Sequence, residues 1–471
     1  MINRTDFSRQ INIVFLTILA LCAAAFSQQE LFREAYINNW KLKGQTSTGG
    51  NYQLVGIENG RPVYYITLNR TAGEIIGADI LRNDPNFGVD GNTVSLGIWD
   101  AGWVYEDHAE LIDRITLSDT GSAYNDHATH VAGTIGASGL DPNAVGMAPK
   151  INIRSYDWND DVNEMLGAGA TASLAPEKIY VSNHSYGLIA GWQEGIFKTI
   201  AGDFNQDDVV NMKDYAILAE TLPSTFGSAG FNPICDIYPY PQGDDEVNHL
   251  DLQLFVQNWL RQGVEELYWF GVRGETEDRN FGRYTELSAK WDKLCSETPY
   301  MLPFKAAGND CDDDAPAIDA NYLYFEPNDH NWIEVNYNPV LDPNAPNDDG
   351  PDSNEWDTLP PIATAKNVIT IGAVDDSCNI TDFSGFGPTD DGRIKPDLVA
   401  NGTDVFSLNA DDPNGGYAFA TGTSSASASA AGAAALVTEL YERLFEDNMR
   451  ASTLKALLIQ RALDIPPSGP D

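Results

Sequence analysis

The stretch VSLGIWDAG at residues 94–102 has the pattern of a buried β-strand. Val94, Leu96 and Ile98 alternate along it, and the run is mostly apolar until it stops at Asp100. Four similar apolar stretches follow: INIRSYD (151–157), KIYVSNHS (178–185), MLPFKAAGN (301–309) and VITIGAVD (368–375). Helical patterns lie between them, and strands that alternate with helices predict an α/β fold with a parallel sheet.

Polar residues stand where several of these predicted strands end. They are Asp100, Ser185 and Asn309. In open α/β sheets, sites form just beyond the carboxyl ends of the strands. We therefore expect these three residues to lie along one edge of the sheet, at a functional site.

A second informative stretch is TGTSSASASAAG at residues 421–432. Its composition is typical of a flexible linker. Residues 431–445 (AGAAALVTELYERLF), however, are strong helix formers with apolar positions at helical spacing. Small residues at a helix start allow close packing, and the amides there favour a developing negative charge. We expect one of the adjacent serines to be a nucleophile if the chain supplies a base and an orienting acid.

Two histidines occur in NDHATHVAGT, residues 125–134, where small residues predict a closely packed helix. His127 and His130 are three residues apart. Taken alone, the pair is either a metal-binding pair or two structural histidines, and the structural interpretation is favoured. A zinc site would need a third ligand, and the glutamate of an HExxH motif is missing.

Polar residues in four separate motifs occur in the order Asp, His, Asn, Ser: Asp100, His127 in HATH, Asn309 in AAGND and Ser424 in GTSSA. In this order, over about residues 94–463, the chain resembles the subtilisin-like serine peptidases. The resemblance implies a doubly wound, mainly parallel sheet and a serine endopeptidase. Ser424 would attack the scissile carbonyl, His127 would be its general base, and Asp100 would orient the histidine.

The same resemblance implies roles for the other residues of the site. The side-chain amide of Asn309 and the backbone amide at Ser424 would stabilise the oxyanion. An extended substrate would pair as an added strand with a short backbone segment. That segment is Ser185, Tyr186 and Gly187.

The chain departs from the family pattern at three positions in these motifs. Ala128 stands where the family usually has glycine, and Ser425 and Ala428 stand where it usually has methionine and proline. None of these changes removes a reacting group. The G-T-S register selects Ser424 as the nucleophile, and His130 is then structural.

Residues 202–222 (GDFNQDDVVNMKDYAILAETL) have the spacing of a twelve-residue calcium loop followed by a helix. Positions 1, 3, 5, 9 and 12 are Asp203, Asn205, Asp207, Asn211 and Asp214, and the backbone carbonyl of Val209 falls at position 7. Oxygen donors at this spacing suit calcium, a hard cation. We therefore expect a calcium site here, called loop one below.

A second copy, loop two, follows within CDIYPYPQGDDEVNHLDLQLFVQNWL, residues 235–260. Positions 5, 7, 9 and 12 are Asp244, Glu246, Asn248 and Asp251. Tyr240 and Gln242 fall at positions 1 and 3, so Asp236 would have to reach in from a longer loop. We therefore expect loop one to bind calcium more tightly than loop two.

Two such loop–helix units with aspartate at position 12 resemble dockerin domains. The resemblance implies a small α-helical, EF-hand-type module at residues 201–262, with a cohesin-type protein as its partner. The module interrupts a peptidase domain predicted at 91–200 and 263–471. An insertion that calcium merely rigidifies is therefore an equally good interpretation.

The first 27 residues carry Arg4 and Arg9 followed by an apolar run over about 11–26, which predicts a signal peptide and a secreted chain, extracellular or periplasmic. The run is short for a membrane span, and no second one follows. Residues 28–90 then predict a strand-bearing, pro-like segment. A net charge of −41 disfavours nucleic acid as a partner.

Two features bear on the outer parts of the fold. Export would leave Cys235, Cys295, Cys311 and Cys378, which allow two disulfides in three pairings, or free thiols. Residues 306–365 contain no lysine or arginine and are rich in Asp, Asn and Pro, which predicts a long solvated loop.

The sequence thus predicts a secreted, calcium-containing serine endopeptidase that acts on proteins or peptides. An alternative from another class is a catalytically inactive, calcium-dependent docking or adhesion protein on the same scaffold. The two differ in whether the candidate serine reacts.

Overall fold

The computed structural model describes residues 33–465, apart from 36, 46–50, 59, 68–77, 84–86, 121, 176, 241–242, 276, 314, 329–330, 347–356, 411–415 and 464. The predicted signal peptide, residues 1–27, lies outside the described residues. None of the helices among those residues has the length and apolar character needed to cross a bilayer.

Strands and helices alternate along much of the chain. The strands are β1 (Lys43–Gln45), β2 (Asn51–Glu58), β3 (Arg61–Thr67), β4 (Ser95–Asp100), β5 (Ile115–Leu117), β6 (Asn152–Asp157), β7 (Val181–His184), β8 (Tyr186–Leu188), β9 (Trp192–Gly195), β10 (Ser224–Thr225), β11 (Glu246–Val247), β12 (Glu266–Trp269), β13 (Leu302–Ala306), β14 (Asn321–Glu326), β15 (Asn331–Asn336), β16 (Ile369–Val374), β17 (Leu398–Asn401), β18 (Val405–Asn409) and β19 (Gly416–Ala420). The α-helices are α1 (Ala78–Asn83), α2 (Asp126–Gly136), α3 (Asp161–Ala168), α4 (Met212–Thr221), α5 (His249–Gln257), α6 (Glu286–Glu297), α7 (Thr423–Phe445) and α8 (Ala451–Arg461).

The central sheet has seven strands in the order β17-β16-β13-β7-β4-β6-β5. Every neighbouring pair in it is parallel. The five strands predicted from apolar runs are β4, β6, β7, β13 and β16, and all are confirmed. The edge strands β5 and β17 were not predicted, because strands of three and four residues are too short to show a period.

Helices cover both faces of this sheet. Leu96 and Ile98 of β4 pack in the cluster that includes α2 and α7, whereas Trp99 packs in the cluster that includes α3 and α6. All three side chains are fully buried. Burying a side chain of this size contributes about 1.5–3 kcal/mol. Two covered faces explain why these strands read as continuous apolar runs.

Helix α7 begins at Thr423, so the serine-rich stretch is helix rather than linker. Its small residues allow close approach of neighbouring elements. A Cβ added at Gly432 would lie 2.7 Å from the Cβ of Met147 and 3.3 Å from the Cα of Ile135 in α2. Larger side chains would separate the two helices.

The prediction of a long solvated loop at 306–365 is wrong for part of that range. Strands β14 and β15 form an antiparallel hairpin there, and together with β12 and β9 they make a second four-stranded sheet. Tyr322, Leu323 and Trp332 of the hairpin are buried. The prediction failed because the aromatic residues of the hairpin favour β-strands and become buried, although the acidic composition of the range is typical of a solvated loop.

The N-terminal segment packs on this second sheet and forms a sheet of its own. Strands β1, β2 and β3 are antiparallel neighbours, and β3 also pairs antiparallel with β8. Trp40, Tyr52 and Tyr64 are buried in one cluster with Phe197 and Tyr268. The segment is therefore held by a substantial aromatic core as well as by strand pairing.

The two calcium-loop candidates lie in the connection between β9 and β12. These two strands pair antiparallel with each other, so the ends of the intervening segment are close together. The segment carries α4 and α5 and has its own small core. That core includes Phe204, Val210, Leu218, Ile237 and Phe255. An insertion whose ends meet leaves the surrounding fold undisturbed.

The four cysteines in the described part of the chain are free thiols: Cys235, Cys295, Cys311 and Cys378. Burial raises the pKa of Cys235 to about 12. Burial likewise raises the pKa of Cys311 to about 12. These two thiols are protonated near neutral pH and are poor nucleophiles.

Candidate active site

The carboxyl ends of three neighbouring strands, β13, β7 and β4, meet at one edge of the central sheet. Asp100 ends β4, Ser185 directly follows β7, and Asn309 follows β13. Two helices begin at the same edge, with His127 in the first turn of α2 and Ser424 in the first turn of α7. The structure thus brings together the five polar residues that the sequence had placed at strand ends and helix starts.

Asp100 and His127 form a buried hydrogen-bonded pair. The distance between His127 Nδ1 and Asp100 Oδ1 is 2.7 Å, and the two side chains are 5% and 0% exposed. Asp100 Oδ1 also accepts from the amide of Ala101 at 2.8 Å. Because the carboxylate can only accept, Nδ1 carries the proton, which leaves Nε2 as the basic nitrogen.

Ser424 lies fully buried at the N-terminus of α7. The turn that leads into this helix needs Gly422, whose φ of 149° disfavours any residue with a side chain. Ser424 Oγ donates to the carbonyl of Ser185 at 3.0 Å, and Ser185 Oγ donates to the carbonyl of Ser424 at 2.8 Å. This reciprocal pair joins the start of the helix to the end of β7.

The side chain of Asn309 is held in one orientation by Thr423. Asn309 Oδ1 accepts from the backbone amide of Thr423 at 2.9 Å and from its hydroxyl at 3.0 Å. The amide group of Asn309 therefore turns its donor nitrogen away from Thr423. Gly308, with φ of 106°, makes the preceding turn. A side-chain donor is thus fixed next to the N-terminus of α7, a combination suited to an anion.

The predicted substrate segment is paired with the chain's own N-terminal segment. In the β3–β8 ladder, Thr67 lies opposite Tyr186 and Ile66 lies opposite Gly187. The segment therefore pairs with an antiparallel strand of the chain itself, β3. A peptide could pair along this edge only after displacing β3.

His130 is separate from this chemistry. Its Nε2 lies 3.0 Å from the carbonyl of Val405, to which it donates, and its own carbonyl accepts from Ser407. Burial lowers the pKa of His130 to about 4. The ring is therefore neutral and ties α2 to β18.

Sequence reasoning missed three buried polar residues just beneath the site: Asp161, His184 and Lys305. Lys305 did leave a signal, because it is the one charged residue in the apolar strand LPFKA. His184 likewise stands inside a buried strand. A charged residue in a buried central strand is rare and therefore indicates a candidate functional position.

Loop one gathers carboxylates around a small volume. Oxygens of Asp203, Asp207 and Asp214 lie within 4.8 Å of one another, the one such acidic group found among the described residues. Asp214 is oriented by the backbone amides of Phe204 and Asn205, at 2.8 and 3.1 Å. Burial raises the pKa of Asp203. An all-oxygen set that is partly desolvated fits a hard cation.

Two lysines contact this loop. Lys41 of the N-terminal segment lies 3.3 Å from Asp203, and both side chains are 1% exposed. Lys213 lies 2.5 Å from Asp207 at the surface. These ammonium groups partly offset the negative charge of loop one.

Loop two repeats the hydrogen bonds of loop one. Asp236 accepts from two successive backbone amides at 3.0 and 2.8 Å, as Asp203 does in loop one. Asp251 accepts from two successive amides at 2.7 and 2.9 Å, as Asp214 does. Asp236, rather than Tyr240, therefore occupies the first position of an extended loop.

The other predicted oxygen donors lie within the two loops: Asn205, Val209, Asn211, Asp244, Glu246 and Asn248. Asn211 and Asn248 cap α4 and α5, each in a capping box with the aspartate at position 12. Asn211 also donates to the carbonyl of Val209 at 2.9 Å. The helix starts and the candidate ion sites are thus built from the same residues.

Residues 87–222 and 263–471 match the model of the Subtilase family, which is most of the chain. The protein therefore belongs to the subtilase family, and its membership indicates serine peptidase activity on protein substrates. A solved structure described as a cold adapted subtilisin-like serine proteinase is similar over 82% of this chain and 91% of its own, with 18% identity and a TM-score of 0.37.

Proposed function

We propose that this subtilase is a secreted endopeptidase in which Ser424, His127 and Asp100 form the catalytic triad. The observation that carries the proposal is the buried pair of Asp100 and His127 at the same sheet edge as a helix-start serine. A serine hydroxyl is a weak nucleophile near neutral pH and needs a base. His127 Nε2 is the basic nitrogen that the hydrogen bond to Asp100 leaves.

In the proposed reaction, Ser424 Oγ attacks the scissile carbonyl while His127 Nε2 takes its proton. The hydroxyl must first give up its hydrogen bond to the carbonyl of Ser185. Asp100 keeps Nδ1 protonated and stabilises the imidazolium that forms. The same proton then passes from Nε2 to the leaving amine, and water repeats the sequence on the acyl-enzyme.

The charge that develops on the carbonyl oxygen would be stabilised by two donors. One is the side-chain nitrogen of Asn309, which Thr423 holds in place, and the other is the backbone amide at Ser424. Both lie at the N-terminus of α7, where the helix dipole favours negative charge. Fixed donors of this kind stabilise the transition state more than the substrate.

The N-terminal segment fits the role of a cover over the substrate edge. Strand β3 already pairs with β8 in the antiparallel sense that a substrate would use. A substrate strand would take over those backbone hydrogen bonds. Residues 28–90 are therefore proposed as a pro-like segment, and the apolar run after Arg4 and Arg9 supports export.

Labelling by a serine-directed phosphonate tests the proposed function most directly. We expect covalent modification of Ser424, because an activated serine attacks phosphorus and releases the leaving group. Peptide mapping by mass spectrometry locates the label, and Ser424→Ala is the matched control. A protein that stays unlabelled when folded would instead be the inactive docking or adhesion protein considered as the alternative.

We also propose that residues 201–262 form a dockerin-like calcium module. Its support is the repeated pattern of carboxylates held by successive amides in the two loops. Bound calcium would supply charge balance for the buried aspartates and fix each loop. The module also exposes apolar side chains that suit a cohesin-type partner. These are Met212 and Tyr215 of α4, Val256 of α5 and Trp259 just after α5.

Calcium titration of the full chain is expected to show two binding events of unequal affinity. Asp214→Asn should remove the tighter one and Asp251→Asn the weaker one, since each removes the position 12 carboxylate of one loop. The isolated segment 200–263 should be helical only with calcium, because its core is too small to hold alone. Absence of heat at millimolar calcium, or a helical signal that chelator leaves unchanged, would contradict the proposal.

A further inference from the structure

A row of buried polar side chains lies beneath the segment 184–187. Lys305 of β13 donates from Nζ to the carbonyl of His184 at 3.2 Å and lies 4.5 Å from the ring centre of Tyr186. His184 Nδ1 is 3.2 Å from the hydroxyl of Tyr186, and that hydroxyl donates to Asp161 at 2.7 Å. Three of these side chains are fully buried, and Asp161 is 6% exposed.

The direction of each hydrogen bond in the row follows from chemistry. Because the Tyr186 hydroxyl donates to the Asp161 carboxylate, its oxygen accepts from Nδ1–H of His184. His184 Nε2 then accepts from the hydroxyl of Ser182 at 2.9 Å. Burial, and next the ammonium of Lys305, lowers the pKa of His184 well below its usual value, so the ring is neutral as this pattern requires.

Burying such a row of charged and polar side chains is unfavourable in free energy. The ammonium of Lys305 and the carboxylate of Asp161 both lose hydration on burial, and apolar side chains would fill the same space at lower cost. The row includes His184 and Tyr186, the residues directly before and after Ser185. Ser185 in turn exchanges two hydrogen bonds with Ser424. The buried charges therefore act on the residue that holds the candidate nucleophile.

We propose that Lys305 and Asp161 are positioning residues: by holding the residues on either side of Ser185, they fix Ser185 against Ser424. The proposal rests on the proposed role of Ser424 as nucleophile. Neither residue touches the reacting atoms. Their effect reaches the reaction through the geometry of the serine.

The rate at which a small phosphonate labels Ser424 measures this effect. A reagent without a peptide extension does not need the substrate edge, so β3 does not interfere. Lys305→Met and Tyr186→Phe are expected to slow labelling of the folded protein about tenfold, a size typical of coupling through packed networks. Lys305→Arg should label faster than Lys305→Met, because the guanidinium keeps the charge that methionine lacks.

A matched control separates positioning from general stability. Lys395 is also a buried lysine of this fold, with Nζ bonded to Thr370 at 2.9 Å and to Asp397 at 2.7 Å, away from segment 184–187. Lys395→Met is expected to lower thermal stability and leave the labelling rate of the folded protein unchanged. Equal slowing by Lys395→Met and Lys305→Met would overturn the proposal.

A double-mutant cycle tests whether Lys305 acts through Ser185. If it does, Lys305→Met should slow labelling less in the Ser185→Ala background than in the wild-type background, because Ser185→Ala already removes one of the two hydrogen bonds with Ser424. If the rate reductions of the two single variants multiply in the double variant, the two residues act independently and the proposal is refuted. Wild-type protein that is not labelled at Ser424 at all would instead contradict the proposed function.

The pH dependence of labelling gives an independent readout. Burial lowers the pKa of Lys305 to about 7, against the opposing charges of Asp161 and Asp100, while His184 is neutral. The cation is therefore present below about pH 7 and lost above it. The ratio of the Lys305→Arg rate to the wild-type rate should rise as pH passes through 7. A constant ratio would rule out a role for the charge.

Discussion

Ser424→Ala is expected to lower kcat for peptide or ester hydrolysis by roughly a millionfold, and His127→Ala by a similar factor. A loss of that size equals about 8 kcal/mol of transition-state stabilisation. Without the hydroxyl no acyl-enzyme forms, and without the imidazole nothing accepts its proton. Asp100→Ala should cost somewhat less, about ten-thousandfold or more, because the base nitrogen remains while its orienting hydrogen bond is lost.

The neighbouring serine provides the matched control for this prediction. Ser425 is also fully buried in the first turn of α7, yet its removal is expected to leave turnover near the wild-type level. The Ser424→Ala, His127→Ala double variant should be no slower than either single variant, since the residues act as one unit. Normal turnover in Ser424→Ala together with lost turnover in Ser425→Ala would show that the nucleophile is misassigned.

Asn309→Ala is expected to lower kcat about a hundred- to a thousandfold with little change in KM. The reason is that its nitrogen would donate to an oxygen that carries full charge only in the transition state. Steady-state kinetics on a small ester and on a peptide measure both constants. A rise in KM alone would assign Asn309 to substrate binding instead.

Asn309→Asp separates the donor role from anchoring. The aspartate retains an oxygen that can accept from the backbone amide and hydroxyl of Thr423, but it replaces the donor nitrogen with an acceptor. We expect a loss at least as large as that of Asn309→Ala. Substantial activity in Asn309→Asp would mean that the residue only supports the turn before α7.

The candidate site could be predicted largely from local pattern. The apolar runs that became β4, β7 and β13 were long enough to show where each strand ends. Asp100 and Asn309 therefore had predictable places along one sheet edge. The proposed roles of Ser424 and His127 came from the family resemblance. Taken alone, a serine-rich stretch is typical of a linker, and a histidine pair is more often structural.

Other features depend on contacts between residues far apart in the chain. The acidic composition around residues 321–336 predicted a loop where the structure has a hairpin. The burial of this hairpin depends on β9 and β12, which lie elsewhere in the sequence. The pairing of β3 with β8 joins residues 65–67 to 186–188. The local hydrophobic pattern does not specify which strand an edge strand will pair with.

By itself, the sequence determined the main parallel strands, the residues at their carboxyl ends and the spacing of oxygen donors in two loops, including the need for Asp236 in loop two, because each follows from local periodicity and chain order. Only the tertiary structure decided that β3 pairs with β8 and that Lys305 and Asp161 both contact Tyr186. Those features arise when distant segments pack together, and the energy of burying a charge depends on partners that only packing brings within reach.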